Sequence, residues 1–475
     1  MPTPFATDAA RCRVTQWGWA AVSVARRLDV VREVRHLLVE RRSALTAAVA
    51  ADVRRGPAEV TATDLLPTAS ACKFLLTDAV KLLRPHRVTG TPLWLWGCRD
   101  TLHRRPRGVV GLIGTWNYPV FLTTVPLLQA LVAGNGVLWK PSEQTPATAD
   151  VLADLLARAG VPDGLVVRLP GTREAGPQLA EADIDFVHFT GSDATGRKLA
   201  ARLGERLIPS TLELSGVDAV IVRADADVPL AARSAWYGAT LNAGQTCMAT
   251  RRALVASGVY GEFVAALRPL VAAARPVVLQ TADQTDRAER ALGEAVEAGC
   301  EVIRSTAAGS GFRPAVVLGP DRSAAVAADP LFAPVLAVAD AGPDGGIGHN
   351  GRFGLTAAIF TRDWAGARAL AAGLYAGCVV VNDVIVPTAH PGTPFGGRGA
   401  SGWGVTQGAD GLLGMTVPQV VSERRGTFRP HVDAALTPTP AAGAMVEGLL
   451  RMTHGRGWRE RWRGVRQVVG AGRAE

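Results

Sequence analysis

The chain has 475 residues, 48% hydrophobic and 20% charged, with a formal net charge of +9. That length exceeds what one hydrophobic core usually organises, and the composition excludes a disordered, collagenous or coiled-coil chain. Six scattered cysteines without a CxxC pair, and no HxxxH or HExxH cluster, argue against a disulfide framework or a zinc site; 47 of the 51 basic residues are arginines spread through every segment, and no nucleic-acid-binding motif accompanies them.

Residues 15–85 carry Ala, Leu, Val and Arg at three- and four-residue spacing, which predicts helices with breaks at Pro57 and Pro67. The apolar stretch from Trp17 to Ala25 follows Arg11 and Arg13 in the manner of a leader. Its spacing continues through Val30, Val31, Val34, Leu37 and Leu38, so it reads as one amphipathic helix instead. Residues 92–107 hold two short alternating segments and predict a hairpin.

Between Arg107 and Lys140 run 32 residues without a charge, enough by length to span a bilayer. Asn117, Pro119, Pro126, Gln129, Gly134, Asn135 and Gly136 interrupt the run. It therefore reads as a buried strand at 109–113, a loop, a helix from about 120 to Gly134, and a strand at 136–139. A helix at 147–159 and strands at 165–169 and 186–189 follow; strands at 211–214 and 219–222 open a second stretch of the same kind, running to about 400. Short apolar strands alternating with helices mean parallel sheets covered on both faces.

Four segments carry chemistry. Asn242-Ala-Gly-Gln-Thr-Cys247 follows a helix predicted at about 228–241. Cys247 there is either a nucleophile or a buried structural cysteine, the reading that suits the other five. Glu213 ends an apolar strand, where side chains point into the ligand crevice of an open sheet. Asn117, in Thr115-Trp-Asn-Tyr-Pro119 just after a strand, can donate to a developing oxyanion. Lys140 and Glu143 end another strand, and Phe189-Thr-Gly-Ser192 opens a helix whose N-terminus suits a pyrophosphate.

In this order the segments resemble the aldehyde dehydrogenase superfamily over roughly residues 15–425, and the Trp-Asn-Tyr-Pro wording looks most like its class 3 and fatty-aldehyde branch. The resemblance implies an α/β chain with two doubly wound parallel-sheet domains and a small hairpin element. Its limits would be 1–91 with 108–210 for NAD binding, 211–403 for catalysis, 92–107 with 404–425 for oligomerisation, and 426–475 as a basic tail. It implies that Cys247 attacks the aldehyde carbon, that Asn117 and the Cys247 N–H form the oxyanion hole, and that Glu213 activates the hydrolytic water. It implies that Lys140 and Glu143 hold the adenosine ribose, that Gly191 and Ser192 form the pyrophosphate turn, and that Trp116, Phe189, Leu214 and Phe332 bound the cofactor cleft. NAD is the implied cofactor, with NADP as the alternative. The implied partners are an apolar aldehyde and further copies of the chain, as a homodimer or tetramer in the cytoplasm.

Three departures stand out. Pro330 replaces the glutamate that the family places two residues before the aromatic, Ser215 replaces a glycine, and the stretch from Cys247 to Phe332 is short. Pro330 keeps an inactive, structural member in play, and Cys247 alone would also serve an esterase. Gly397-Arg-Gly-Ala-Ser-Gly402 fits GxGxxG but has Pro391 and Pro394 before it and no clear strand; it reads as a closing loop. Beyond the resemblance, residues 449–475 carry seven arginines against Glu460 and Glu475, a net +5. Trp458, Trp462, Val465 and Val469 fall on one helical face there, the pattern of a segment resting on a membrane surface, against which stand a helix docked on the protein's own or a partner subunit's surface and a disordered basic tail.

Overall fold

In the computed structural model, which describes residues 4–343, 352–427, 429–436 and 439–473, the uncharged run folds into the middle of a six-stranded sheet. Val109–Ile113 and Gly136–Lys140 are buried at every residue, as continuous apolar runs must be in a sheet with both faces covered. The strand order is Gly402–Trp403, Ser210–Leu214, Phe186–Gly191, Val109–Ile113, Gly136–Lys140, Val166–Arg168. All neighbours pair in parallel except Gly402–Trp403. The chain runs outward from Val109–Ile113 on one side, then returns to lay Phe186–Gly191 on the other. The C-terminal ends of these two strands therefore flank the topological switch point, where open α/β sheets bind ligands.

A second sheet has seven strands, ordered Glu301–Arg304, Ala315–Leu318, Val335–Asp340, Thr250–Val255, Asp218–Val222, Thr356–Phe360, Cys378–Val381. It is parallel apart from Glu301–Arg304. Val220, Val255, Leu336 and Phe360 pack there against Trp236 and Phe263 of the covering helices. The two doubly wound sheets match the fold the sequence implied. The change of sheet comes later than 210/211, since Ser210–Leu214 pairs with Phe186–Gly191 and only Asp218–Val222 starts the second sheet.

Local differences have local causes. The N-terminal helix is two helices, Ala6–Ala21 and Val24–Glu40, parted at extended Val22 and Ser23. Pro57 starts a helix rather than breaking one, and Pro67 lies in the first turn of Leu66–Leu83. A π turn, Thr61–Leu65, stands immediately before it and shifts the hydrogen-bond register around a residue that cannot donate. The hairpin expected at 92–107 is a turn, Leu93–Leu95, and one strand, Cys98–Pro106. Pro92 and positive-φ Gly97 bracket too few residues for a first strand.

Contacts divide the chain into residues 1–82 with 106–417, holding both large sheets, and residues 83–105 with 418–475. In the smaller unit, Cys98–Pro106 lies between His86–Arg87 and Thr416–Arg424. Helices Pro440–His454 and Trp458–Ala471 follow, meeting at Gly448 and Gly464; a Cβ on Gly464 would stand 2.4 Å from the Met452 nitrogen. Trp458 and Trp462 stay exposed.

Candidate active site

Asn117, Glu213 and Cys247, predicted from three separate segments, meet along one cleft of about 500 Å³. Each is placed by the end of an element. Asn117 follows Val109–Ile113, Glu213 is near the end of Ser210–Leu214, and Cys247 follows the turn Leu241–Gly244.

The loop that carries Cys247 is held tightly. Asn242 and Ala243 take positive φ, and so does Gly244, where a Cβ would stand 2.4 Å from the Ala333 carbonyl carbon. Buried Arg251 ties the two loops that meet there, donating to Ala333 O at 2.7 Å and to Gly244 O at 2.6 Å. Burial lowers its pKa to about 10, against the pull of Asp218 and Cys247. Asn117 Nδ2 donates to Gln245 O at 3.0 Å, and the Tyr118 hydroxyl meets Thr246 Oγ1 at 2.6 Å. Arg55 lies over the Tyr118 ring and pairs at 2.6 Å with fully buried Asp64, whose other oxygen accepts from the Val120 and Phe121 N–H groups. The π turn supplies Asp64, so the distorted helix positions the Asn117 loop.

Cys247 is half-buried, and its thiol is pushed up to about 12 by burial, then by the Asp218 and Glu213 carboxylates. Glu213 is buried, and neither carboxylate oxygen has a hydrogen-bond partner among the described residues. Burial holds its carboxyl well above the ordinary range. The GxGxxG segment forms no strand–helix turn; its short strands Arg398–Gly399 and Gly402–Trp403 brace this corner. Gly402 pairs with Glu213, a Cβ there would stand 1.8 Å from Leu212 O, and Ser401 Oγ donates to Ser215 O at 3.0 Å.

The described sequence matches the model of the aldehyde dehydrogenase family over residues 5–421. The chain belongs to the aldehyde dehydrogenase family. A 4,4'-diapolycopene aldehyde oxidase from Methylomonas is 32% identical over 84% of this chain and 78% of its own length. A probable coniferyl aldehyde dehydrogenase from Caulobacter vibrioides is also 32% identical, over 82% of this chain and 85% of its own. Among solved structures, a Mycobacterium tuberculosis aldehyde dehydrogenase complexed with NAD+ superposes with a TM-score of 0.82 at 29% identity, covering 88% of this chain and 90% of its own. The protein is an NAD(P)-dependent aldehyde dehydrogenase.

The cleft suits a dinucleotide, though unevenly. Lys140 Nζ meets Glu143 at 3.0 Å, and Gln144, next in the chain, lines the cleft. Burial raises the Glu143 carboxyl, but its own turn N–H and Lys140 outweigh that and hold it low. Gly191 lines the cleft as well, and a Cβ there would stand 2.4 Å from the Phe189 ring. Ser192 caps the helix Asp193–Glu205 through Thr195 N. Trp116 and Phe332 face each other at 6.3 Å, Phe332 with positive φ beside Arg251. Of the expected cofactor contacts, Trp116, Gly191, Ser192 and Phe332 bound this cleft, while Lys140, Glu143, Phe189 and Leu214 lie outside its immediate wall. Phe189 is a buried sheet residue beneath Gly191, and Leu214 is one beneath Gly196, because inward-facing strand positions fill the core first.

Beside Phe332, Pro330 lines the cleft, while Asp329 pairs with Arg352 at 3.5 Å instead. Thr281, Gln284 and Arg287, overlooked in the sequence, line it too. Thr281-Ala-Asp-Gln284 is a capping box opening the helix Ala282–Glu297, and that signal was readable.

Proposed function

We propose that the dehydrogenase oxidises an apolar aldehyde, of the long-chain or isoprenoid kind, to its acid through an acyl-enzyme on Cys247. The observation that carries the substrate class is a second cavity at Cys247, of about 100 Å³, walled by Tyr118, Phe121, Leu122, Met248, Ile385 and Phe395 among others, with no charged side chain in its lining. A distal carboxylate buried there would lose its hydration without gaining a partner. Relatives named putative succinate-semialdehyde dehydrogenases are as similar, at 32% identity, as the diapolycopene aldehyde oxidase, so overall likeness does not choose between these substrates; the lining favours the apolar one. A panel of aldehydes tests this by kcat/KM: efficiency should rise with chain length and exceed that for succinate semialdehyde by at least about tenfold, a modest share of the burial cost. Succinate semialdehyde as the better substrate would overturn the reading.

In the proposed sequence the Cys247 sulfur adds to the carbonyl carbon. Asn117 Nδ2, with one hydrogen on Gln245 O, has a second to give the oxyanion. When bound, the cofactor supplies the hydride acceptor. Lys140, Glu143, Gly191, Ser192, Trp116 and Phe332 would hold it, joined by Gln284 and Arg287 at the end where Pro330 stands. Glu213 then takes a proton from the water that attacks the thioester, and its raised pKa makes its carboxylate form the stronger base. An ionised Glu143 would accept from a ribose 2′-hydroxyl and repel a 2′-phosphate, which supports NAD over NADP; equal efficiency with NADP would refute that preference. The Trp116-Asn117-Tyr118-Pro119 wording supports a place near the class 3 and fatty-aldehyde branch.

We also propose self-association through the smaller unit. Thr416–Arg424 is an edge strand with Val420 and Val421 exposed, and such edges recruit further strands. Light scattering should give a dimer or tetramer; a monomer would contradict it. No helix among the described residues is long and apolar enough to cross a membrane. The exposed Trp458 and Trp462 beside Arg459, Arg461, Arg463 and Arg466 support peripheral lipid contact by 449–475. Failure of the protein to sediment with anionic liposomes at low salt would remove that idea.

A further inference from the structure

A small cavity of about 20 Å³ adjoins Cys247, with His188, Glu213, Thr406 and Gln407 also in its wall. Most of the remaining wall is apolar, including Phe121, Leu122, Val125 and Pro126. Five buried polar atoms there have no hydrogen-bond partner among the described residues: both Glu213 oxygens, His188 Nδ1, Thr406 Oγ1 and Gln407 Oε1. Buried polar atoms of native proteins are almost always satisfied, so several orphans around one cavity need a common partner. The volume matches one water, which needs two to four such partners. Gln407 also takes φ 61° and ψ 171°, a backbone conformation that side chains rarely adopt, at the point where its amide enters this wall. None of His188, Thr406 and Gln407 is needed by the reaction as derived so far.

We propose that His188, Thr406 and Gln407 hold the water that hydrolyses the acyl-enzyme, fixing it between Glu213 and the Cys247 sulfur. This rests on the reading of Cys247 as the acylated nucleophile. The water oxygen adds to the thioester carbonyl carbon while one of its protons passes to a Glu213 oxygen. The C–S bond then breaks, its electron pair returns to sulfur, and the proton held by Glu213 restores the thiol. One thioester and one water give one acid and one thiol. Burial lowers the His188 pKa to about 4, so its ring is neutral at the working pH and Nδ1 serves as a neutral hydrogen-bonding group. The other titratable groups facing the cavity are Glu213 and Cys247. His188, Thr406 and Gln407 are thus positioning residues, acting through water.

Hydrolysis of p-nitrophenyl acetate by the full chain without cofactor separates acylation, seen as a burst of nitrophenol, from deacylation, seen as the steady rate. In His188→Phe and Gln407→Leu the burst should stay within about twofold of wild type while the steady rate falls at least about tenfold, the loss expected when a charged transition state loses a hydrogen-bonded support. Intact-mass measurement should find the acetyl group accumulating on Cys247. His188→Asn, whose amide reaches about where Nδ1 stands, should recover the steady rate to within about threefold of wild type. If His188→Phe does not fold, Gln407→Leu carries the same expectation. Burst and steady rate falling together, or a steady rate unchanged in both variants, would overturn the proposal while leaving acetylated Cys247 intact as a reading. Absence of acetyl from Cys247 in wild type would remove both.

Discussion

Around Asn117 and Cys247, polar groups are tied down before any substrate arrives. Asn117 donates to Gln245 O, Tyr118 meets Thr246, Arg251 spans two loops, and Arg55 with Asp64 anchors the turn from beneath. Around Glu213, the carboxylate, His188, Thr406 and Gln407 each keep a buried atom without a hydrogen-bond partner among the described residues. In the proposed reaction the first wall would present fixed dipoles to a developing oxyanion, which costs no reorganisation when the charge appears. In the same proposal the second wall would accept and release a proton, and its unpaired atoms leave it to be completed by something small and mobile. The difference teaches that rigidity here belongs to the electrophile's partners and incompleteness to the base.

The largest effect that would break this contrast belongs to the nucleophile itself. Cys247→Ser should lower aldehyde oxidation by at least about ten-thousandfold while leaving NAD binding, read by quenching of protein fluorescence, in place. Because burial pushes the thiol up to about 12, the fraction of thiolate should grow about tenfold per pH unit. Alkylation of Cys247 by iodoacetamide in the cofactor-free protein should therefore climb without a plateau from pH 7 to 10; a plateau near pH 8 would mean that the tight wall already stabilises the anion. Asp64→Ala strands the buried Arg55 and should destabilise the fold by about 3–5 kcal/mol in a denaturant titration. Asn117→Ala should cost about 2.7–4 kcal/mol in kcat with little change in KM. A loss confined to KM would make Asn117 a binding residue and dissolve the distinction between the two walls.

Much of the cleft could be read from the chain because strand ends announce themselves. Apolar strands end at Ile113 and Leu214, and Thr115, Trp116, Asn117, Glu213 and Ser215, at or just beyond those ends, line the cleft; beyond the strand ending at Lys140 only Gln144 does. Its supports were not legible. Arg55 and Asp64 lie more than fifty residues before the loop they hold, and a π turn leaves no mark in apolar periodicity. The base corner was hidden for a similar reason. His188 alternates with apolar neighbours in a buried strand and looks like filler, and Gln407 joins it only through the fold. Phe189 and Leu214, expected near the cofactor from the resemblance alone, have side chains packed into the core against Gly191 and Gly196.

The account turns on Glu213 as the base that acts after acylation, and Glu213→Gln with one aldehyde and NAD tests it most directly. Rapid mixing should give a burst of reduced cofactor approaching one equivalent of enzyme, followed by a steady rate reduced at least about hundredfold, the scale of a lost general base. Intact mass should then find the acyl group on Cys247. Full turnover without accumulation, or loss of the burst itself, would contradict it.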